Sequence, residues 1–273
     1  MMRARTVCAA FVLASASAAA SAHAQRGYAC NFSWDNAGYF ISPYFAGNPV
    51  YDGRVTFTRI KYRGNWACGG EGPGWSHDYP TMEGHFTRML DALTTMHAFV
   101  EKGNVEGGAI FSWADPEVFK YPVAYMSEPA GWDLNDHELT GFRNYIRKGG
   151  FVIFDDMGSR NVNHLSNLVY QWHRAFPQAK LVELKPDNAI FNAFYKVNLA
   201  IVPGYYSRDC GNCPARYYGF YEDNDESKRL VAVINDHQDF GEYIQFSEQG
   251  FQILPTNEAY KLMINYFVYA LTH

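Results

Sequence analysis

The sequence predicts an α/β fold: a three-layer, doubly wound, mostly parallel sheet in a single domain over residues 55–273. Three observations point there. Short apolar runs alternate with segments of helical spacing, the pattern of βαβ units. The runs are apolar almost throughout, as in strands buried on both faces. Gly149-Gly150-Phe-Val-Ile-Phe154-Asp155-Asp156 reads as a helix end, a buried strand and two carboxylates where the strand stops. In open α/β sheets, ligands bind outside the carboxyl ends of the strands, so this pair marks the expected site.

The elements follow in order. Arg3 and Arg5, the apolar run Val7–Ala20 and Ala22-His23-Ala24 form a secretory signal peptide pattern over residues 1–24, cleaved after about Ala24. Residues 25–54 show no period and read as an irregular arm. Val55–Ile60 alternates at period two and predicts a strand ending at Arg59. A Gly-rich loop covers 63–80. Apolar positions Phe86, Met89, Leu90, Leu93, Met96 and Val100 predict a helix over 82–101, closed by Gly103. Ala109–Trp113 and Tyr121–Ser127 are strands. Asn135 and Glu138 form a capping box for the helix that ends at Gly149. Phe151–Phe154 is a strand, 163–176 a helix, Leu181–Leu184 and Leu230–Ile234 strands, and a helix begins at Pro255-Thr256 and runs to the end. Residues 203–229, with Cys210-Gly-Asn-Cys213 and the acidic run Glu222–Glu226, read as a loop insertion.

Removal of residues 1–24 leaves about 249 of 273 residues, a size that suits one large domain. The chain carries 23 basic and 28 acidic side chains, and loss of Arg3 and Arg5 raises the acidic excess to seven. That balance disfavours nucleic acid, whose binding depends on neutralising phosphates. No segment after the signal has an apolar run of membrane-spanning length, so no stable membrane insertion is expected. The four cysteines outside the signal, Cys30, Cys68, Cys210 and Cys213, favour disulfides in an exported chain, with three pairings open. A Cys-x-x-Cys metal or redox site is the alternative reading; it lacks an adjacent histidine and a helix start.

Several segments together resemble the bacterial domain of unknown function 4159 family. They are Phe57–Tyr62, Trp75 with Asp78-Tyr79-Pro80, Asp115–Phe119, Tyr121–Met126, Gly149–Asp156, Arg229–Asn235 and Ile264–His273. The resemblance covers about residues 54–273. It implies a Rossmann-like, flavodoxin-like fold similar to the class I glutamine amidotransferase domain, and no settled activity. The chain departs from the family's usual Asp-His-Pro-Ile-Phe, carrying Asp187-Asn188-Ala189-Ile190-Phe191.

No motif for standard chemistry is present. No cysteine follows an apolar strand as an amidotransferase nucleophile would. Nucleophile-elbow, Walker and dinucleotide-binding glycine patterns are missing. No cofactor and no metal site is assigned. What remains is a set of polar residues at strand ends. The ligand-binding candidates are Arg59, Tyr62, Asp78, Tyr125, Glu128, Asp155, Asp156, Asn235 and Asp239. Side chains alternate along a strand, so one of Asp155 and Asp156 is expected to face the crevice and the other to cap the following helix or bond loop amides. Trp66, Trp75 and Trp132 lie in irregular segments and are expected to be exposed ligand contacts. The leading expectation is a non-catalytic periplasmic or envelope protein that binds a polar ligand or an envelope partner. The competing one is a hydrolase using Asp155 or Asp156 with Glu128, Asp239 or His237, around a divalent metal.

Overall fold

A computed structural model describes residues 35–63, 73–102, 105–106, 108–158, 164–202 and 214–273. The signal segment, the four cysteines and Trp66 lie outside the described residues. The main sheet has seven strands in the order β4-β1-β5-β6-β9-β8-β7. They are β1 Thr58–Ile60, β4 Ala109–Phe111, β5 Val123–Ser127, β6 Phe151–Met157, β7 Val182–Glu183, β8 Arg216–Tyr221 and β9 Leu230–Asp236. β2 Glu101–Lys102 and β3 Val105–Glu106 form a small antiparallel pair apart from it. The helices are α1 Thr81–Leu93, α2 Asp136–Arg147, α3 His164–Ala175, α4 Phe240–Gln245 and α5 Ile253–Thr272.

β4, β1, β5, β6 and β9 are parallel to their neighbours, while β8 runs antiparallel to both β9 and β7. The chain is thus an α/β protein with a mostly parallel sheet. Alternation along β6 explains why its sequence is apolar throughout. Val152 and Phe154 pack on one side with Phe142 and Tyr145 of α2 and Leu168 and Trp172 of α3. Phe151 and Ile153 pack on the other with Phe86 and Leu90 of α1, Phe240 of α4 and Phe267 of α5. β4 lies on one side of β1 and β5 on the other, while α1 and α2 cover opposite faces. The outer end of the β1–β5 pair is therefore a topological switch point, where connections diverge and leave a crevice.

Several boundaries differ from the sequence reading. α1 stops at Leu93 instead of continuing past Val100. Thr94 takes an extended conformation and its hydroxyl returns to the Leu90 carbonyl, while Ala98 forms a parallel bridge to Val55. A threonine that bonds its own backbone competes with the helix. β6 and β9 run past the apolar residues to Met157 and Asp236, which puts their polar tips inside the sheet. Part of the segment read as an insertion, Arg216–Tyr221, is a strand of the sheet. It pairs with β9 through the acidic run, which forms a tight exposed turn with Asp223 beside Lys228 and Asp225 accepting from Ser227. Trp75 and Trp132 are buried in the α2–α3 layer, contrary to their expected exposure, because the loops carrying them fold onto the apolar face. The capping box forms as read, with Asn135 Oδ1 accepting from the Glu138 amide at 2.9 Å and Glu138 Oε2 from the Asn135 amide at 3.0 Å. Among the described residues, no helix is long and apolar enough to cross a membrane.

The arm before β1 covers an exposed sheet edge. Asn48 Nδ2 donates to the Ile110 carbonyl at 2.9 Å, and the Ile110 amide donates to Asn48 Oδ1 at 2.7 Å. One side chain thereby imitates a neighbouring strand along β4, whose outer edge would otherwise template association. Asn48→Ala should lower stability by about 1–2 kcal/mol, the scale of two net hydrogen bonds. Chemical denaturation checks it; an unchanged midpoint would show that water replaces the side chain without cost.

Candidate functional site

The parallel strands deliver their carboxyl ends to one rim. The register aligns Arg59 of β1 with Tyr125 of β5 and Ile153 of β6, and Ser127 with Asp155. Beyond those positions the chain turns into loops. His77 and Asp78 come from the β1–α1 connection, Glu128 follows β5, Asp155 and Asp156 end β6, and Asp239 follows β9. All nine ligand-binding candidates therefore meet at this rim.

A β-bulge separates the two neighbouring aspartates. Phe154 pairs with Ile234 and Met157 with Asp236, so two residues of β6 face one of β9. Met157 rejoins the apolar layer of Val152 and Phe154, and Asp156 takes up the slack in a left-handed conformation (φ 54°). Bulges re-aim side chains beside functional sites. Asp78 (φ 65°), Glu128 (φ 44°) and His237 (φ 60°) are left-handed at the same rim. Such conformations cost energy in non-glycine residues and gather where geometry is held for function.

Asp155 is the residue that bonds loop amides. It is fully buried and accepts from the Tyr125 hydroxyl (3.0 Å), Asn235 Nδ2 (3.0 Å), and the Phe240 (2.9 Å) and Gly241 (3.0 Å) amides at the start of α4. Asn235 is fixed in turn by Tyr266, whose hydroxyl donates to Asn235 Oδ1 at 2.9 Å. Arg59 is also structural. It is buried against Glu83 of α1, donates to the Trp75 carbonyl at 2.9 Å and lies over the Tyr125 ring. Tyr62 donates to the Ser127 carbonyl at 3.1 Å and holds the β5 tip. Glu83 and Tyr266 were not among the sequence candidates, since no local pattern shows that a helix residue will meet Arg59 or Asn235.

Asp156 stands in the other group. It accepts from Ser127 Oγ at 3.2 Å, and His77 Nδ1 lies 3.5 Å from its Oδ2 and 3.6 Å from Glu128 Oε1. His77, Glu128 and Asp156 each offer a ligand atom within 4.8 Å of the other two, and so do Asp78, Asp156 and Asp239. Asp239 also caps α4, accepting from the Glu242 amide at 2.8 Å. Two glycines make the crowding possible. A Cβ at Gly74 would stand 2.2 Å from Glu128 Oε2, and one at Gly241 would stand 2.1 Å from Asp78 Oδ2. His77 was missed in the sequence although it adjoins Asp78; the loop gives it no period. His237 pairs with its neighbour Asp236 and is in neither set. Asn188, where the family usually has histidine, caps a short turn and donates to the Tyr221 hydroxyl, and is in neither set.

The site is acidic and largely buried. Asp78, Asp155, Asp156 and Asp239 are each at most 4% exposed, while His77 (21%) and Glu128 (14%) reach the surface. Burial pushes the Asp155 carboxyl up to about 6 against its hydrogen-bond donors. Burial also raises Glu128 to about 7, with the Asp156 charge adding and His77 opposing. Asp239 is driven well above the usual carboxylate range by burial and then by Asp156, Asp78 and Asp155. Burial lowers His164, at the start of α3, to about 4 although the Asp156 charge opposes it. Carboxylates crowded in this way take up protons or a cation. Donors on one divalent ion sit about 2.0–2.6 Å from it, hence within roughly 5 Å of each other, and both sets meet that limit.

Folding favours the protonated form of Glu128, because its folded value lies above its ordinary 4.5. The resulting cost is absent below about pH 4.5, grows as pH rises, and is complete above about 7. With a chelator present, Glu128→Gln should therefore match the parent near pH 4 and exceed it at pH 8 by about 1–3 kcal/mol. Thermal melts at both pH values test this; equal melting temperatures at pH 8 would contradict the burial of a charge there.

Residues 56–271 match the family model described as Domain of unknown function (DUF4159). No curated protein matches the chain. The chain belongs to that family.

Proposed function

We propose that this member of a family of unknown function is an exported binding domain whose strand-tip crevice takes up a divalent cation and, through it, a polar anionic ligand. The observation that carries this reading is the convergence on Asp156 of His77, Glu128, Asp78 and Asp239 from the ends of four parallel strands. A large ligand would need a broad open cleft; an ion fits a cluster that reaches solvent through one imidazole and one carboxylate. Oxygen donors with one histidine suit Mn²⁺, Zn²⁺ or Mg²⁺.

The finer features agree with it. In order of appearance, the five parallel strands lie second-first-third-fourth-fifth across the sheet, and we read this as a flavodoxin-like arrangement, the class that also includes glutamine amidotransferase domains. No strand at the rim ends in a cysteine, so the amidotransferase reaction is not part of the reading. The signal pattern over residues 1–24 supports export to the periplasm or cell envelope, and the even cysteine count supports disulfides among Cys30, Cys68, Cys210 and Cys213. A hydrolase on the same residues is the second reading. It is favoured by the left-handed Asp78, Glu128, Asp156 and His237 around the crevice, since strained backbone gathers at active sites.

The purified chain, stripped with a chelator and given 1 mM Mn²⁺ at pH 7.5, should gain several degrees in melting temperature, as roughly 2–3 kcal/mol of linkage would produce. Asp156→Asn should abolish the gain, because Asp156 belongs to both donor sets. An unmoved parent melting curve would overturn the proposal. Turnover of a phosphoester or acyl ester lost in Asp156→Asn would select the second reading.

A further inference from the structure

Building on that cation site, we infer that the crevice holds two divalent cations bridged by the Asp156 carboxylate. The donors divide into two sets of different chemistry, with Asp156 common to both. His77, Glu128 and Asp156 give a nitrogen–oxygen set at the mouth; Asp78, Asp156 and Asp239 give an all-oxygen set within. The five side chains form two groups within 4.8 Å and not one, so a single ion does not take both sets, and a carboxylate has two oxygens with which to serve two metals. Paired metal sites of this kind place their ions about 3.5–4 Å apart.

Charge balance points the same way. Asp78, Glu128, Asp155, Asp156 and Asp239 bring five carboxylates to the rim, and the buried Arg59 guanidinium is matched by Glu83. Asp155 is held by its own four donors, which leaves four carboxylates; one divalent ion would match two of them and two would match all four. Unpartnered buried polar atoms supply an independent sign. Among the described residues, Glu128 Oε2 has no hydrogen-bond partner, nor has Nδ1 of His164, a side chain only 4% exposed on which the Asp156 charge acts. A buried polar group without a partner costs about 1–3 kcal/mol, and a metal with its bound water offers both acceptors what the protein does not. The two positions should differ in preference. The outer one, with imidazole, suits Zn²⁺ or Mn²⁺, and the inner one suits Mg²⁺, Ca²⁺ or Mn²⁺. Mn²⁺ therefore fills both and is the probe of choice.

The test is the amount of Mn²⁺ retained per full chain after equilibrium dialysis, with electron paramagnetic resonance of the loaded protein. We expect two ions per chain and the broadened signal of exchange-coupled Mn²⁺. His77→Ala, a change at a partly exposed residue, should reduce the count to one and restore the six-line signal of an isolated ion. Asp239→Asn, which keeps the cap on α4, should do the same from the inner position, and circular dichroism shows whether each variant is folded. One ion in the parent chain would overturn this inference and leave the single-cation reading standing. No ion would overturn both. Two ions without magnetic coupling would place them apart and contradict the shared Asp156.

Discussion

Asp155 is the fixed point of the rim. Its carboxylate accepts hydrogen bonds from β5, from β9 and from the first amides of α4, so three neighbouring elements are tied to the tip of β6 at one buried anion. A buried charge of this kind is tolerated only when its donors are in place, and these four are. Removing any of them would leave the others around an uncompensated charge. The geometry at the strand ends follows from that requirement. α4 begins where its amides reach Asp155, and Asp239 therefore caps it at the edge of the crevice.

With Asp155 committed to the α4 side, the residue after it must turn away. The bulge opposite Asn235 and the left-handed conformation of Asp156 accomplish this, and Met157 regains the apolar layer. The same two residues thus perform two tasks. One anchors the sheet to a helix, and its neighbour is set loose from the pleat to meet His77, Glu128, Asp78 and Asp239. Burial first, and then the neighbouring carboxylates, disfavour the ionised state, and the Glu128 and Asp239 carboxyls are shifted upward. Stability alone gives no reason to gather like charges in a buried place; a cation does.

Much of this architecture was legible in the sequence. The alternation of apolar runs and helical spacing carried the order of the elements, the capping box of α2 and the apolar strand before Asp155. Strand alternation indicated that Asp155 and Asp156 would face different partners but not which residue takes which role, because the bulge that decides it depends on pairing with β9. β8 was hidden because its tyrosines, Gly219 and flanking acidic turn resemble a loop until β9 pairs with them. His77 and Glu83 were hidden for a related reason: each is placed by the connection after β1, and nothing local reveals a partner many residues away. Trp75 and Trp132 misled because irregular segments, like helices, can bury aromatic rings.

The account stands on Asp156 as a cation ligand. The most direct measurement is an anomalous difference map from crystals of the chain soaked in Mn²⁺. The account predicts a peak about 2.1–2.3 Å from an Asp156 carboxylate oxygen, flanked by His77 and Glu128 or by Asp78 and Asp239. Density elsewhere on the molecule, with these five side chains holding only protons and ordered water between them, would contradict it.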